Sequence, residues 1–152
     1  MPGWLIEWFA DETLTQLFWI ISLAGAPFWA LMIAAPRKKL TRHLCSPFVG
    51  PVILGAGLTY LYAQLWELGL PAAPSELDYS AGAAIAGHPI VLLIMWLHIQ
   101  TLNLFLGESI FADAQRKRIA VPVELILCWA LGPVGLLVYA ARLVLTAPMR
   151  KN

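Results

Sequence analysis

The chain has few charged residues, and this shortage excludes whole classes of protein. Charged residues make up 12% of its 152 residues, whereas hydrophobic residues make up 60%. Because soluble domains carry about 25% charged residues, this composition argues against a water-soluble monomer and predicts an integral membrane protein. The net charge of +1 provides no broad basic face for a phosphate backbone, so nucleic acid is not an expected partner.

Cysteine is also scarce. Cys45 and Cys128 are the two cysteines, and neither belongs to a CxxC pair or to a Cys/His cluster with metal-ligand spacing. A disulfide framework and a metal site are therefore not expected. The first twelve residues contain Glu7, Asp11 and Glu12 but no Lys or Arg, the reverse of the basic start of a signal sequence. No phosphate-binding loop or HExxH motif is present, and no cofactor is expected.

Four apolar stretches are long enough to cross a bilayer core, which takes roughly 20 helical residues. We place them at about 14–35, 48–68, 88–111 and 121–146. The sequence therefore predicts an all-α fold, a single membrane domain over 1–152 that forms an antiparallel four-helix bundle.

Lys and Arg are distributed unevenly among the segments that flank these stretches. The N-terminal segment has none, the first loop has four, the second loop has none and the third loop has three. Because basic loops stay in the cytoplasm, this pattern predicts that both the N-terminus and the C-terminus lie on the outer side. Arg142, Arg150 and Lys151 oppose that assignment at the C-terminal end.

The third stretch contains several polar side chains on two faces. At about 100° per residue, His98, Phe105 and Glu108 fall on one side of this helix, and Trp96 and Asn103 fall on the other. We therefore expect neighbouring spans to cover both faces and to enclose the His98 imidazole. Since histidine titrates near neutral pH, His98 is the leading candidate for proton transfer. A buried histidine with a purely structural hydrogen bond is the alternative.

Glu108 and Arg142 are charged residues that lie within apolar stretches. Ionisable groups inside a membrane helix are functional candidates, but for Glu108 a salt bridge to Arg116 or Arg42 is the simpler interpretation. Arg142 is expected to extend outward or to pair with Glu67. The histidines are too few for a di-iron site.

The chain resembles a known membrane family in three segments. They are Pro27-Phe28-Trp29, the run from Trp96-Leu97-His98 to Leu104-Phe105-Leu106-Gly107, and Leu131-Gly132-Pro133-Val134-Gly135-Leu136-Leu137. On these residues the sequence is similar to the abscisic-acid-deficient-four-like membrane family of plants, algae and bacteria.

The resemblance implies a four-helix, multi-pass protein of a bacterial inner or photosynthetic membrane. Plant members are associated with forming neoxanthin from violaxanthin, which opens a carotenoid epoxide to an allene. Such an isomerisation needs an acid, a base and an apolar slot, and it needs no redox cofactor. The resemblance thus implies a carotenoid or other isoprenoid ligand, with His98 as the acid or base. Glu108 is the second catalytic candidate because it is an ionisable group within a membrane span, although the family pattern has a basic residue at this position.

Aromatic and polar residues near these two complete the predicted site. The expected ligand-binding residues are Trp29, Trp96, Asn103, Phe105 and Tyr139. A pocket between the spans that contains His98 would favour an isomerase. A solid core with apolar faces turned outward would favour the alternative, a non-catalytic accessory or pigment-binding subunit of a larger membrane complex. Membrane lipid is a partner in either case.

Overall fold

The protein is helical in the computed structural model, which describes residues 11–68 and 78–146. The helices are α1 (Asp11–Ala24), α2 (Ala26–Ala34), α3 (Lys39–Leu44), α4 (Val49–Leu68), α5 (Tyr79–Ala86), α6 (Pro89–Lys117), α7 (Pro122–Leu131) and α8 (Pro133–Thr146). These two ranges contain no strand, so the all-α prediction is confirmed. Two apolar stretches are long enough to cross a membrane, Glu12–Ala34 (α1 with α2) and Pro89–Lys117 (α6).

Helix α6 is the centre of the fold, with α1, α2, α4, α7 and α8 packed around it. Helices α1 and α2 run in the same direction as α6. The indole N–H of Trp96 donates to Ser22 Oγ at 2.9 Å, and further along both elements the Gln115 amide donates to the Pro36 carbonyl at 3.0 Å. These two hydrogen bonds fix the register of α1 and α2 against α6.

Helix α4 runs in the opposite direction to α6. A β-carbon at Gly57 would lie 3.3 Å from Leu97, whereas one at Gly50 would lie 2.6 Å from Leu104. Earlier residues of α4 thus contact later residues of α6. Small residues at these positions allow the two helices to approach closely.

Helices α7 and α8 form a helical hairpin. The chain reverses at Gly132, whose φ of 56° and ψ of −110° suit glycine, because it has no β-carbon. Helix α8 returns along α7, and Gly135 packs directly on the α7 backbone at Glu124. Near the open end, Arg142 Nη1 donates to Glu124 Oε1 at 2.6 Å and to the Ala120 carbonyl at 2.9 Å.

This hairpin replaces the predicted fourth crossing, 121–146. Helices α7 and α8 have 10 and 14 residues, about 15 Å and 21 Å, and each is shorter than a bilayer core. The Gly132 turn contacts Asn103, the middle residue of α6, so the hairpin extends only halfway along that helix. Apolar length alone does not distinguish one crossing from two half-length helices. The predicted pair of Arg142 with Glu67 is also wrong, because Arg142 binds Glu124.

The two ends of the bundle differ in charge. We call the end that carries the segment 35–48 and Thr146 the basic end, and the end that carries Leu68 and Tyr79 the distal end. Every Lys and Arg of the described residues belongs to the basic end. Since α8 returns Arg142 to that end, Arg142 no longer opposes the cation count, whereas Arg150, Lys151 and the predicted position of the C-terminus fall on residues 147–152, outside the described residues. The predicted position of the N-terminus falls on residues 1–10, outside the described residues.

Candidate functional site

Glu108 is the most unusual side chain of α6. It is 0% exposed, and neither carboxyl oxygen forms a hydrogen bond of good geometry within the described ranges. Among the described residues, the backbone N–H of Gly50 is the one group found close enough to interact with the carboxyl as a donor. The predicted salt bridge to Arg116 or Arg42 is wrong, since the ion pairs found among those residues do not include Glu108. Burying an acid without a charged partner costs stability, which makes Glu108 a functional candidate.

Helix α4 encloses the Glu108 carboxyl. A β-carbon at Gly50 would lie 2.6 Å from Glu108 Oε1 and equally close to Leu104. A residue larger than glycine at position 50 would therefore force the carboxyl or α4 to move. At this site the Glu108 carboxyl of α6 therefore packs against the backbone of the first turn of α4, at Gly50.

Cys45 lies in the segment before α4, within electrostatic range of Glu108. Burial, with a smaller contribution from Glu108, raises the pKa of the Cys45 thiol to about 11. The thiol donates to the Phe28 carbonyl at 3.6 Å, so at neutral pH it is an uncharged structural group. No group of three or more His, Cys, Asp or Glu side chains that could hold a metal occurs in residues 11–68 and 78–146.

Gly107, next to Glu108, is the glycine of the Leu104-Phe105-Leu106-Gly107 motif, and its contact with Trp29 explains why a glycine occupies this position. The Trp29 ring packs on Gly107, and a β-carbon there would overlap the ring. Trp29 is 2% exposed and stacks on Trp129 with ring centroids 6.5 Å apart. The predicted ligand residue Trp29 is therefore a core residue that joins α2 to α6 and α7.

His98 lies on a face of α6 that no described helix covers. His98 is exposed, and so are Leu102 and Phe105 on the same face, at 51% and 42%. The expectation that neighbouring spans enclose the imidazole is wrong, because the hairpin reaches only to Asn103 and α4 packs on the Glu108 side. A catalytic role for His98 stays a prediction.

The other predicted ligand residues occupy separate places along α6. Trp96 is bonded to α1 in the distal half, and Asn103 lies under the hairpin turn. The Tyr139 hydroxyl donates to Asp113 Oδ2 at 2.7 Å, and Lys117 binds the same oxygen at 2.6 Å. Tyr139 thus anchors α8 to α6 near the basic end.

Gly50 is the residue of this site that the sequence pattern does not single out. A glycine in the first turn of an apolar helix indicates a close approach to another helix. The pattern does not say which residue approaches, and the partner, Glu108, is 58 positions away in the sequence.

Two buried glutamates of the fold should respond differently to an amide substitution. Glu124→Gln leaves the Arg142 guanidinium without its carboxylate, and we expect a loss of about 1–2 kcal/mol because Arg142 is partly exposed. Glu108→Gln removes no ion pair and keeps an acceptor oxygen for the Gly50 N–H, so the midpoint of thermal unfolding in detergent should be unchanged or higher. Equal losses in both variants would show that Glu108 has a structural partner.

Comparison with known proteins connects these features to a family. The family model described as ABA DEFICIENT 4-like matches residues 16–139, a range that includes Gly50, Glu108 and the Gly132 turn. The chain belongs to the ABA DEFICIENT 4-like family. The resemblance inferred from the sequence motifs is thereby confirmed.

A relative of this ABA DEFICIENT 4-like chain is Protein ABA DEFICIENT 4, chloroplastic, of Arabidopsis thaliana. The two sequences are 25% identical over 133 residues, which cover 80% of this chain and 58% of the plant protein. The chain therefore spans somewhat more than half the length of that relative. No solved structure matches the chain.

Proposed function

We propose that the chain is a multi-pass membrane protein that isomerises a carotenoid epoxide or a related isoprenoid, with Glu108 carrying the proton. Membership in the ABA DEFICIENT 4-like family supports the substrate class. The observation that carries the assignment of Glu108 is its complete burial with no ion pair and no side-chain hydrogen bond in the part of the chain described.

In this proposal the chain crosses the membrane three times and then re-enters it. The crossings are α1 with α2, then α4, then α6; α4 has 20 residues, about 30 Å. The hairpin α7–α8 enters from the basic end and returns to it. The positive-inside rule places the basic end in the cytoplasm of a bacterial inner or photosynthetic membrane. The start of α1 and the end of α4 then face outward.

A single protonated carboxyl is sufficient for the reaction. The acid donates its proton to the epoxide oxygen, and the C–O bond breaks. The resulting carboxylate removes a proton from the adjacent polyene carbon, and the electron pair of that C–H bond forms the second double bond of the allene. One proton is given and one is taken back, so the product is an isomer of the substrate and the acid is regenerated.

The surroundings of Glu108 favour an oxygenated substrate. The carboxyl is shielded by Leu104 and the α4 backbone, and hydrogen bonds are stronger in such a low-dielectric environment. A ligand oxygen would supply a strong hydrogen bond to the carboxyl, whereas a hydrocarbon polyene would not. The site should therefore prefer epoxy- or hydroxycarotenoids to unsubstituted carotenes. Because α4 lies directly against the carboxyl at Gly50, and Glu108 lines neither of the two cavities at the basic end, α4 must move away from α6 to admit the substrate.

Expression in a bacterial host that accumulates an epoxycarotenoid tests this function. Pigment extraction and chromatography should show a new isomer with the wild type, and Glu108→Gln should lower its yield at least about 100-fold. Ser109→Ala is the matched control, since Ser109 bonds only the Phe105 carbonyl. His98→Ala shows whether the exposed imidazole contributes. An unchanged pigment profile with wild-type protein present in the membrane would contradict the proposal.

The exposed face of α6 supports a second candidate, an accessory or pigment-binding subunit. Neither of the two cavities at the basic end is lined by His98, and Leu102 and Phe105 face outward beside it, which is the arrangement expected from the sequence for such a subunit. An imidazole exposed to acyl chains is costly, and contact between the His98 face and another membrane protein or a pigment would reduce that cost. In this case the pigment profile stays unchanged, and His98→Ala releases the chain from a co-purifying complex.

A further inference from the structure

The basic end contains a groove whose charges are not balanced by its own walls. The groove has a volume of about 1420 Å³ and lies between the segment before α4 and the end of α6. Five cationic residues line it: Arg37, Lys38, Arg42, Arg116 and Arg118. The described residues that line the groove include no Asp or Glu. Asp113 lies near Arg116, but its carboxylate is bound by Lys117 and Tyr139.

Hydrogen bonds hold the groove walls in place. The Gln115 amide donates to the Pro36 carbonyl at 3.0 Å, and the buried Thr41 hydroxyl donates to the Ala35 carbonyl at 2.8 Å. These bonds join the segment 35–42 to itself and to α6. The cations are therefore brought together by the fold before any ligand binds, which lowers the entropic cost of binding.

Arg118 has a backbone conformation that glycine adopts more easily. Its φ of 57° and ψ of 38° lie in the left-handed region, and Arg118 is the one non-glycine residue with positive φ in the described ranges. A residue with a β-carbon loses stability in this conformation relative to glycine, which is common at such helix ends. The fold thus places a guanidinium at the edge of the groove at some cost in backbone stability.

An apolar crevice continues from the groove into the bundle. It has a volume of about 180 Å³ and is lined by Met32, Ile33, Phe111 and Leu125. The groove and the crevice share wall residues: Pro36, Ala114, Gln115, Ile119 and Ala120. A ligand that fills both would place a negative group among the cations and a chain between α2 and α7.

We infer that this groove binds an amphiphile with a phosphate or diphosphate head group and a single apolar tail. Guanidinium groups bind phosphate oxygens in a bidentate manner, and three of the five cations are Arg37, Arg42 and Arg118, which have no acidic partner within residues 11–68 and 78–146. The narrow crevice takes one chain, which favours a prenyl diphosphate over a two-chain phospholipid. This inference does not depend on the role of Glu108.

Binding of farnesyl diphosphate to the purified full chain in phosphatidylcholine nanodiscs tests the inference. We expect saturable binding at least about tenfold tighter than that of inorganic diphosphate, which lacks the tail, or of farnesol, which lacks the anion. Arg118→Gly should weaken binding about fivefold or more while leaving the unfolding temperature equal or higher, because glycine suits this conformation. Binding by farnesol as tight as that by the diphosphate would overturn the inference.

Lys39→Ala is the matched control, because it removes one positive charge from the same end without lining the groove. Its affinity should stay within about twofold of the wild type, since exposed charges outside the site are screened. Equal weakening by Lys39→Ala and Arg118→Gly would show a general surface effect and contradict the site. Displacement of farnesyl diphosphate by small mole fractions of phosphatidylglycerol would instead assign the groove to bilayer phospholipid and overturn the single-tail ligand.

Discussion

A reporter fused after Thr146 is expected to lie on the same side of the membrane as one inserted between Lys38 and Lys39. The hairpin α7–α8 reverses at Gly132 and brings Arg142 back to the Ala120 carbonyl, 2.9 Å away. In the proposed topology the hairpin therefore leaves the membrane on the side where it entered. A single crossing over 121–146 would place the two reporters on opposite sides.

The distribution of charge supports this expectation. Cytoplasmic segments are rich in Lys and Arg, and in this topology the end of α8, with Arg150 and Lys151 following in the sequence, joins the other cations on the cytoplasmic side. Alkaline phosphatase fusions in a bacterial host should be inactive after Thr146 and active after Leu68, which is the control for the distal side. High alkaline phosphatase activity after Thr146 would refute the re-entrant hairpin.

Gly135→Ala is expected to destabilise the protein by about 3 kcal/mol or more. The new β-carbon would overlap backbone atoms of Glu124 and Cys128, and backbone cannot move aside as a flexible side chain can. Separating α7 from α8 would also weaken the Glu124–Arg142 pair. The expected fall in the unfolding midpoint in detergent is roughly 6–12 °C.

Gly55→Ala is the control for this effect. A β-carbon at Gly55 meets no atom within 4 Å, and alanine is the better helix former, so the midpoint should be equal or higher. If both alanine variants unfold at the wild-type midpoint, the close contact between α7 and α8 is wrong.

Much of the fold follows from apolar length and charge in the sequence. The positions of α1 with α2, α4 and α6 agree with the stretches predicted from about 20 apolar residues bounded by proline and charge. The prediction of one crossing over 121–146 was wrong, because an apolar stretch of this length is also compatible with two short helices. A signal was present, since Glu124 and Arg142 lie 18 positions apart and would be about 27 Å apart in one helix. A charged residue in an apolar stretch needs a partner of opposite charge. A reversal of the chain at Gly132-Pro133 brings Glu124 and Arg142 together, so that they pair with each other.

The candidate site was predicted less well. Helical periodicity placed His98 and Glu108 on one side of α6, but it could not show that α4 covers Glu108 while His98 remains exposed. That difference depends on where the hairpin ends and on the close approach at Gly50. Both are long-range packing properties that a single-helix pattern does not contain.

In the proposed function, Glu108 transfers the proton in a cofactor-independent isomerisation. The most direct test is incubation of the purified chain in nanodiscs with an epoxycarotenoid and no added cofactor, followed by chromatography and mass measurement. We predict a product of unchanged mass from the wild type and from Ser109→Ala, and at least about 100-fold less product from Glu108→Gln. Equal product formation by Glu108→Gln and the wild type, or no product from a folded wild type, would contradict the claim.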